Sequence, residues 1–102
     1  MKAKSFLKEK NVAGHDLRVF ACKKGRVGVE DLEDGEFLFW LGSKLSAKMI
    51  DLARADKAQE VLDFVVANCE IKYFESDAED GFSGYYAYEP GNNGGIARWN
   101  GE

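Results

Sequence analysis

The sequence predicts an α+β domain with a mainly antiparallel sheet of five to six strands and helices packed on one face. Three observations lead to this prediction. Short β-rich runs occur in two groups, a stretch with helical periodicity separates the groups, and a short helical pattern precedes the first. The expected order of elements is therefore α-βββ-αα-βββ. The length of 102 residues is typical of one domain, so we expect residues 1–102 to form a single domain.

The first part of the chain predicts a helix followed by a three-stranded meander. Ala3, Phe6 and Leu7 fall on one helical face, and Gly14 follows as a stop signal, which predicts a helix over residues 3–11. Alternating apolar residues then predict strands, and glycine-containing turns separate them. The three predicted strands cover residues 17–22, 26–30 and 37–41.

The middle of the chain, residues 43–69, has helical periodicity, but its apolar positions define two faces that point in different directions. Ser43 or Ser46 can cap the start of the first helix. Asp56 and Gln59 form a capping-box pattern where the apolar face changes. Two helices explain this pattern better than one, and they are predicted over residues 46–54 and 57–68.

The last part of the chain predicts the second group of strands. Residues 71–74 form the fourth strand, and residues 82–88 form the fifth. Residues 90–95 are rich in glycine and asparagine, which indicates a loop. A sixth strand is expected over residues 96–99.

The net charge of −4 is the sum of two opposite local charges. Residues 1–26 carry eight basic and two acidic side chains, a local charge of +6, whereas the rest of the chain carries −10. The overall acidity argues against a general nucleic-acid coat or a polybasic membrane anchor. No run approaches the ~20 apolar residues of a membrane span, and no signal-peptide core is found. With only two cysteines, the chain is expected to be cytoplasmic, with reduced thiols.

Motifs for catalysis or cofactor binding are absent from the sequence. Glycine-rich nucleotide-binding motifs, Cys-x-x-Cys, His-Glu-x-x-His and a calcium-binding loop do not occur. His15 is the only histidine, and its spacing from Cys22 and Cys69 is not diagnostic of a zinc site or a Cys–His nucleophile. We therefore expect a non-enzymatic protein without cofactor or metal. A small metal-binding or cysteine-dependent enzyme is the third hypothesis.

Two acidic segments precede apolar or aromatic strands. Residues 30–36 contain five carboxylates, and residues 75–80 contain four. Their charges can simply keep the neighbouring strands soluble. Alternatively, both segments lie at one edge or end of the sheet and attract a basic surface of another protein. The candidate contacts are Glu30, Asp31, Glu33, Asp34, Glu36, Glu75, Asp77, Glu79 and Asp80, with the aromatic residues Trp40, Tyr85, Tyr86, Tyr88 and Trp99.

The leading hypothesis is a small acidic protein-binding module. In its most specific form, the module is an inhibitor that occupies a nucleic-acid-binding surface of its target. The alternative is single-stranded nucleic-acid binding through exposed tyrosines and a basic N-terminal region. The basic candidates for that function are Lys2, Lys4, Lys8, Lys23, Lys24 and Arg26. A homodimer is a further expectation, because the strand over residues 37–41 is apolar at every position and both of its faces need cover.

Overall fold

The computed structural model describes residues 1–75 and 83–91 of the chain. Its helices and strands confirm the α+β class. The helices are α1 (Ala3–Glu9), α2 (Ser43–Arg54) and α3 (Ala58–Asn68). The strands are β1 (Leu17–Ala21), β2 (Val27–Asp31), β3 (Glu36–Leu41), β4 (Glu70–Phe74) and β5 (Gly84–Tyr88). The strand expected over residues 96–99 lies outside the described residues, as does most of the loop expected over residues 90–95.

The five strands form one mixed sheet in the order β1-β2-β3-β5-β4. Three neighbouring pairs are antiparallel, but β3 and β5 run parallel, with Trp40 opposite Tyr86 and Leu41 opposite Ala87. The expectation of a mainly antiparallel sheet is therefore corrected to a mixed sheet. A parallel pair needs a crossover connection. Here α2, α3 and β4 return the chain to the starting end of β3 before β5 begins.

The hydrophobic core is one cluster that contains residues of the sheet and of all three helices. Paired positions point to the same face, so the register places Val19, Val29 and Phe39 side by side. Phe39 and Val29 are completely buried. Full burial of such a side chain contributes roughly 1.5–3 kcal/mol. From the helices, the same cluster contains Ala3, Phe6, Leu45, Met49, Ala53, Val61, Leu62 and Val65.

A β-bulge explains the unbroken apolar run in β3. Val29 pairs with Phe39 and Glu30 pairs with Phe37, so Leu38 is an extra residue in the strand. Leu38 is nevertheless buried, like Phe39 beside it. The bulge therefore buries two consecutive side chains of one strand, which a regular alternating strand would direct to opposite faces.

The other face of the sheet carries an aromatic group around Gly28. The ring of Phe20 lies so close to this glycine that a Cβ atom there would be 2.7 Å from Phe20 Cζ. Phe37 and Trp40 complete the group, with ring centroids 4.6 Å apart. Because Gly28 has no Cβ atom, the phenyl ring of Phe20 can pack directly against the backbone of β2.

Helix α1 ends through Asn11, whereas Gly14 was the stop signal expected from the sequence. Asn11 has a φ of 57°, and the amide of Val12 donates to the carbonyl of Leu7. This is a Schellman ending with asparagine in the left-handed position. Gly14, the expected stop signal, also has a positive φ but follows the ending by three residues.

The boundary between α2 and α3 has the same kind of geometry. Asp56 has a φ of 59°, and the amide of Lys57 donates to the carbonyl of Leu52. The side chain of Gln59 bonds Asp63, and α3 has no side-chain cap. The capping box expected from Asp56 and Gln59 is therefore not formed. The predicted helical stretch is divided into two helices because a Schellman ending at Asp56 terminates α2 before α3 begins.

Ser46 was expected as a helix cap, but it joins α2 to two strands of the sheet. Its hydroxyl accepts a hydrogen bond from the Val27 amide and donates one to the Leu41 carbonyl, both at 3.0 Å. The side chain is 2% exposed, and the residue before α2, Gly42, provides no side-chain cap. One buried hydroxyl thus satisfies polar backbone groups of β2 and β3.

We predict that Ser46→Ala lowers the free energy of unfolding by about 1–3 kcal/mol, because it leaves a buried amide and a buried carbonyl without this partner. Urea denaturation followed by circular dichroism measures the change. Ser5→Ala, at an exposed position on α1, is the matched control and should change the value by no more than about 0.5 kcal/mol. Equal stabilities of the two variants would contradict the role of Ser46.

Candidate functional site

The parallel β3–β5 pair decides which ends of the strands lie together. β2 ends and β3 begins at the same end of the sheet, and the parallel pairing places the start of β5 and the end of β4 there as well. Three parts of the chain therefore share one end: the turn between Asp31 and Glu36, the first residue of the second acidic segment, Glu75, and Ser83, which precedes β5. We call it the acidic end, and it consists of His15, residues 31–36 and Glu75.

The carboxylates of the first acidic segment have different environments. Glu30 is half-buried and lies 2.8 Å from Arg18 on β1, whereas Asp31 is 1% exposed and belongs to the interior. The side chains of Glu33 and Asp34 are 52% and 60% exposed. Glu36 and Glu75 are also exposed. Four of the candidate carboxylates in the described residues can therefore contact a partner directly, namely Glu33, Asp34, Glu36 and Glu75.

Exposed apolar side chains accompany these carboxylates. Leu32 is 54% exposed in the middle of the turn, and Phe37 and Tyr73 are exposed next to Glu36 and near the end of β4. Of the four large hydrophobic residues that are exposed within residues 1–75 and 83–91, three therefore lie at or beside the acidic end. Protein interfaces combine such apolar contacts with a charged rim. Leu32 was missed in the sequence, although an apolar residue between carboxylates is visible there.

Some candidate contacts cannot be located. Asp77, Glu79, Asp80 and Trp99 lie outside the described residues.

A histidine–aspartate pair supports the turn from inside. His15 Nδ1 lies 2.7 Å from Asp31 Oδ2, and the other Asp31 oxygen accepts hydrogen bonds from the amides of Glu33 at 2.9 Å and Asp34 at 3.5 Å. We call His15 and Asp31 the clamp. It ties the loop before β1 to the turn after β2, and the Leu32 amide reinforces this link by donating to the Asp16 carbonyl.

The clamp shifts the pKa values of both partners. The hydrogen bond with Asp31 raises the pKa of His15 above its ordinary 6.5, and the charges of Asp31, Glu33 and Asp34 act in the same direction. The hydrogen bond with His15 lowers the pKa of Asp31 below its ordinary 3.8, with help from the amides of Glu33 and Asp34. Each residue therefore favours the charged form of the other.

His15, Asp31 and Asp34 are also the only group of three metal-ligating residues found within the described ranges, with ligand atoms within 4.8 Å of one another. Both oxygens of Asp31 already accept hydrogen bonds from the protein. His15 Nδ1 is engaged in the same contact. The geometry is that of an internal hydrogen-bonded pair, and we assign no metal to it.

The basic residues proposed for nucleic-acid contact lie on several different elements. Lys4 and Lys8 lie on α1, Lys2 lies 4.0 Å from Glu70 at the start of β4, and Lys23 and Lys24 lie in the β1–β2 turn at the far end of the sheet. Arg26 is 1% exposed, so it is not an accessible cation. Its guanidinium donates to the Leu41 carbonyl at 3.1 Å, and burial lowers its pKa to about 10.

The aromatic candidates are also dispersed. Tyr86 is completely buried, with Arg26 5.2 Å from its ring centroid. Tyr85 packs on Phe6, whereas Trp40 and Tyr88 are half-buried. Tyr86 is therefore not accessible to a partner in this conformation. The exposed rings near the acidic end belong to Phe37 and Tyr73, neither of which was among the candidates.

The two cysteines lie at the opposite end of the sheet from His15. Cys22 follows β1 and Cys69 precedes β4, so at least one strand length, roughly 16 Å, separates each thiol from the acidic end. Cys69 is buried, and desolvation raises the pKa of its thiol to about 11. The structure does not assemble the Cys–His pair or the zinc ligands considered from the sequence.

A groove of about 660 Å³ runs between α1 and α3 and reaches His15. Leu7, Val12 and Leu62 form part of its apolar lining, and Lys4 and Lys8 stand on its α1 side. The groove contacts the loop that the clamp holds, and it is separate from the exposed carboxylates of the turn.

Comparison of the chain with protein-family models, curated proteins and solved structures finds no match. Within residues 1–75 and 83–91, none of the helices combines the length and the apolar character needed to cross a membrane.

We predict that the free energy of unfolding depends on pH through the clamp. The raised pKa of His15 stabilises the folded state below pH 6.5, and this contribution is lost as the pH rises through the folded-state value. The lowered pKa of Asp31 stabilises the folded state above pH 3.8, and this contribution is lost as the pH falls through the folded-state value. The contribution of the clamp is therefore greatest between these two pH values.

Denaturation at pH 3, 5.5 and 8.5 measures this dependence. His15→Gln should reduce the loss of stability between pH 5.5 and 8.5, because glutamine does not titrate. Gln59→Ala, at an exposed position on α3, is the control and should keep the wild-type profile. An unchanged profile in His15→Gln would contradict the assignment.

Proposed function

We propose that the protein is a non-catalytic protein-binding module that uses its acidic end to bind a basic surface of another protein. The observation that carries this proposal is the position of the exposed carboxylates. Glu33, Asp34, Glu36 and Glu75 lie at one end of the sheet, although 39 positions separate the last two in the sequence. Convergence of like charges costs repulsion in the free protein, and a cationic partner would relieve it.

The chemistry of the acidic end also indicates how a partner would be held. Carboxylates on the rim steer a basic surface into contact and increase the association rate at low salt. Leu32, projecting among them, supplies an apolar contact that can be fully desolvated in a complex. The expected partner surface is therefore one with Lys or Arg residues around an apolar depression.

In the most specific form of the proposal, this partner surface normally holds DNA or RNA, and the protein acts as its inhibitor. A surface that binds phosphates is rich in Lys and Arg, so it has the charge that the acidic end would complement.

We also propose that the three helices cover one face of the sheet, which would leave the acidic end open, and that the protein acts in the cytoplasm. A homodimer that covers the apolar strand over residues 37–41 is the alternative proposal.

We predict that neutralising the exposed carboxylates abolishes capture of the partner. The test variant is Glu33→Gln/Asp34→Asn/Glu36→Gln, used as immobilised bait beside the wild-type chain at 50 and 200 mM salt. The control variant, Glu9→Gln/Asp51→Asn/Glu60→Gln, changes the net charge equally at exposed positions on the helices. The wild type and the control should retain the same protein, more strongly at low salt, and the test variant should not.

Equal capture by both variants would contradict the proposed site. Elution of the captured partner by an oligonucleotide, together with displacement of that oligonucleotide by the wild-type chain, would support the inhibitor form. Light scattering of the purified chain separates this result from self-association. A wild-type dimer that the test variant loses would assign the acidic end to a second copy instead.

We predict that Leu32→Ser weakens the captured complex about tenfold, which corresponds to about 1.4 kcal/mol. The leucine is exposed in the isolated chain, so the free energy of unfolding should change by no more than about 0.5 kcal/mol. Ala47→Ser, an exposed position on α2, is the control for both measurements. Calorimetry with the purified partner measures the affinity, and unchanged binding would remove Leu32 from the contact.

A further inference from the structure

His15 lies at the acidic end, and its imidazole ring is a cation when it is protonated. Its Nδ1 lies 2.7 Å from Asp31 Oδ2, and its Nε2 lies 3.5 Å from Glu33 Oε2. Asp34 Oδ2 is 4.0 Å from Nδ1. A neutral imidazole carries one N–H, whereas the imidazolium carries two. Only the protonated ring can therefore donate to Asp31 and face Glu33 with a second proton.

Most of the charged groups around His15 are acidic, and their negative charges favour its protonated form. Its side chain is 25% exposed, so it can exchange protons with the solvent. Asp16 is its neighbour in the chain, and the groove beside it carries charged residues of α1 and α3. The charged groups around His15 are Asp31, Glu33 and Asp34 from the turn, Asp16 from its own loop, Lys4 and Lys8 from α1, and Asp63 from α3.

We propose that protonated His15 competes with a basic partner for Glu33 and Asp34, so that binding at the acidic end is coupled to release of a proton. This inference rests on the proposed function. A Lys or Arg side chain that approaches these carboxylates must share them with the imidazolium. Its positive charge disfavours the protonated ring, and the proton passes to the solvent. Linkage then requires the converse, that deprotonation of His15 strengthens binding.

The expected size of this effect follows from the exposure of Glu33 and Asp34. Ion pairs between exposed groups are weak, so affinity should rise only about two- to fivefold between pH 5.5 and pH 8.5. Asp and Glu are ionised at both pH values, and lysine remains protonated at both. His15 is the only histidine of the chain. The amino group of Met1 donates to the Ile71 carbonyl, near the opposite end of the sheet and away from Glu33 and Asp34.

The test uses a fluorescent hexalysine peptide as the cationic probe and the whole chain as the receptor. Anisotropy titrations at pH 5.5 and 8.5, at constant low ionic strength, give the affinities. We expect the wild type to bind two- to fivefold more tightly at pH 8.5. His15→Gln should bind with the higher affinity at both pH values, and His15→Lys, which keeps a cation at this position, should bind with the lower affinity at both.

A second measurement follows the imidazole resonances of the wild-type chain by NMR. Saturation with hexalysine should shift the titration of His15 to lower pH. Hexalysine binding with the same pH dependence in the wild type and both variants, or a His15 titration that the peptide leaves unchanged, overturns the proton coupling alone. Absence of hexalysine binding at both pH values overturns the proposed function, and the proton coupling with it.

Discussion

The parallel pairing of β3 with β5 is the constraint on which the remaining geometry depends. It is short, with two register pairs and a hydrogen bond of 2.8 Å from the Gly42 amide to the Ala87 carbonyl beyond the strand end. Because the pair is parallel, β4 and β5 meet at the end where β2 turns into β3. An antiparallel pair would place Glu75, which follows β4, at the other end, beside the basic β1–β2 turn.

The local pattern of apolar residues was sufficient to predict the helices and strands. Strands and helices in the described residues agree with the expected ones to within about three residues, because apolar periodicity is a local consequence of burial on one face. The same local signals misassigned the polar side chains at the helix ends. Serine is a typical helix cap, yet the hydroxyl of Ser46 forms hydrogen bonds with the backbone of β2 and β3. Only the tertiary contacts distinguish these two uses of a serine.

The site was predicted in outline and not in detail. Clustered carboxylates indicated a charged surface, but the sequence did not show which of them would be exposed. Asp31 pairs with Leu17 on β1. This register brings His15, two residues before Leu17, within hydrogen-bonding distance of the Asp31 carboxylate, which is directed inward. That contact joins residues sixteen positions apart. No local pattern contains it, so no role for His15 could be predicted from the sequence.

The mixed sheet also separates charge along the direction of its strands. The exposed carboxylates Glu33, Asp34, Glu36 and Glu75 lie at one end, and Lys23 and Lys24 lie at the other. Such a molecule has a permanent electric dipole moment, so the field of a basic protein exerts a torque on it before contact. It would rotate during approach and arrive with the acidic end first. A larger fraction of encounters would then be productive, even though the net charge of the whole chain is only −4.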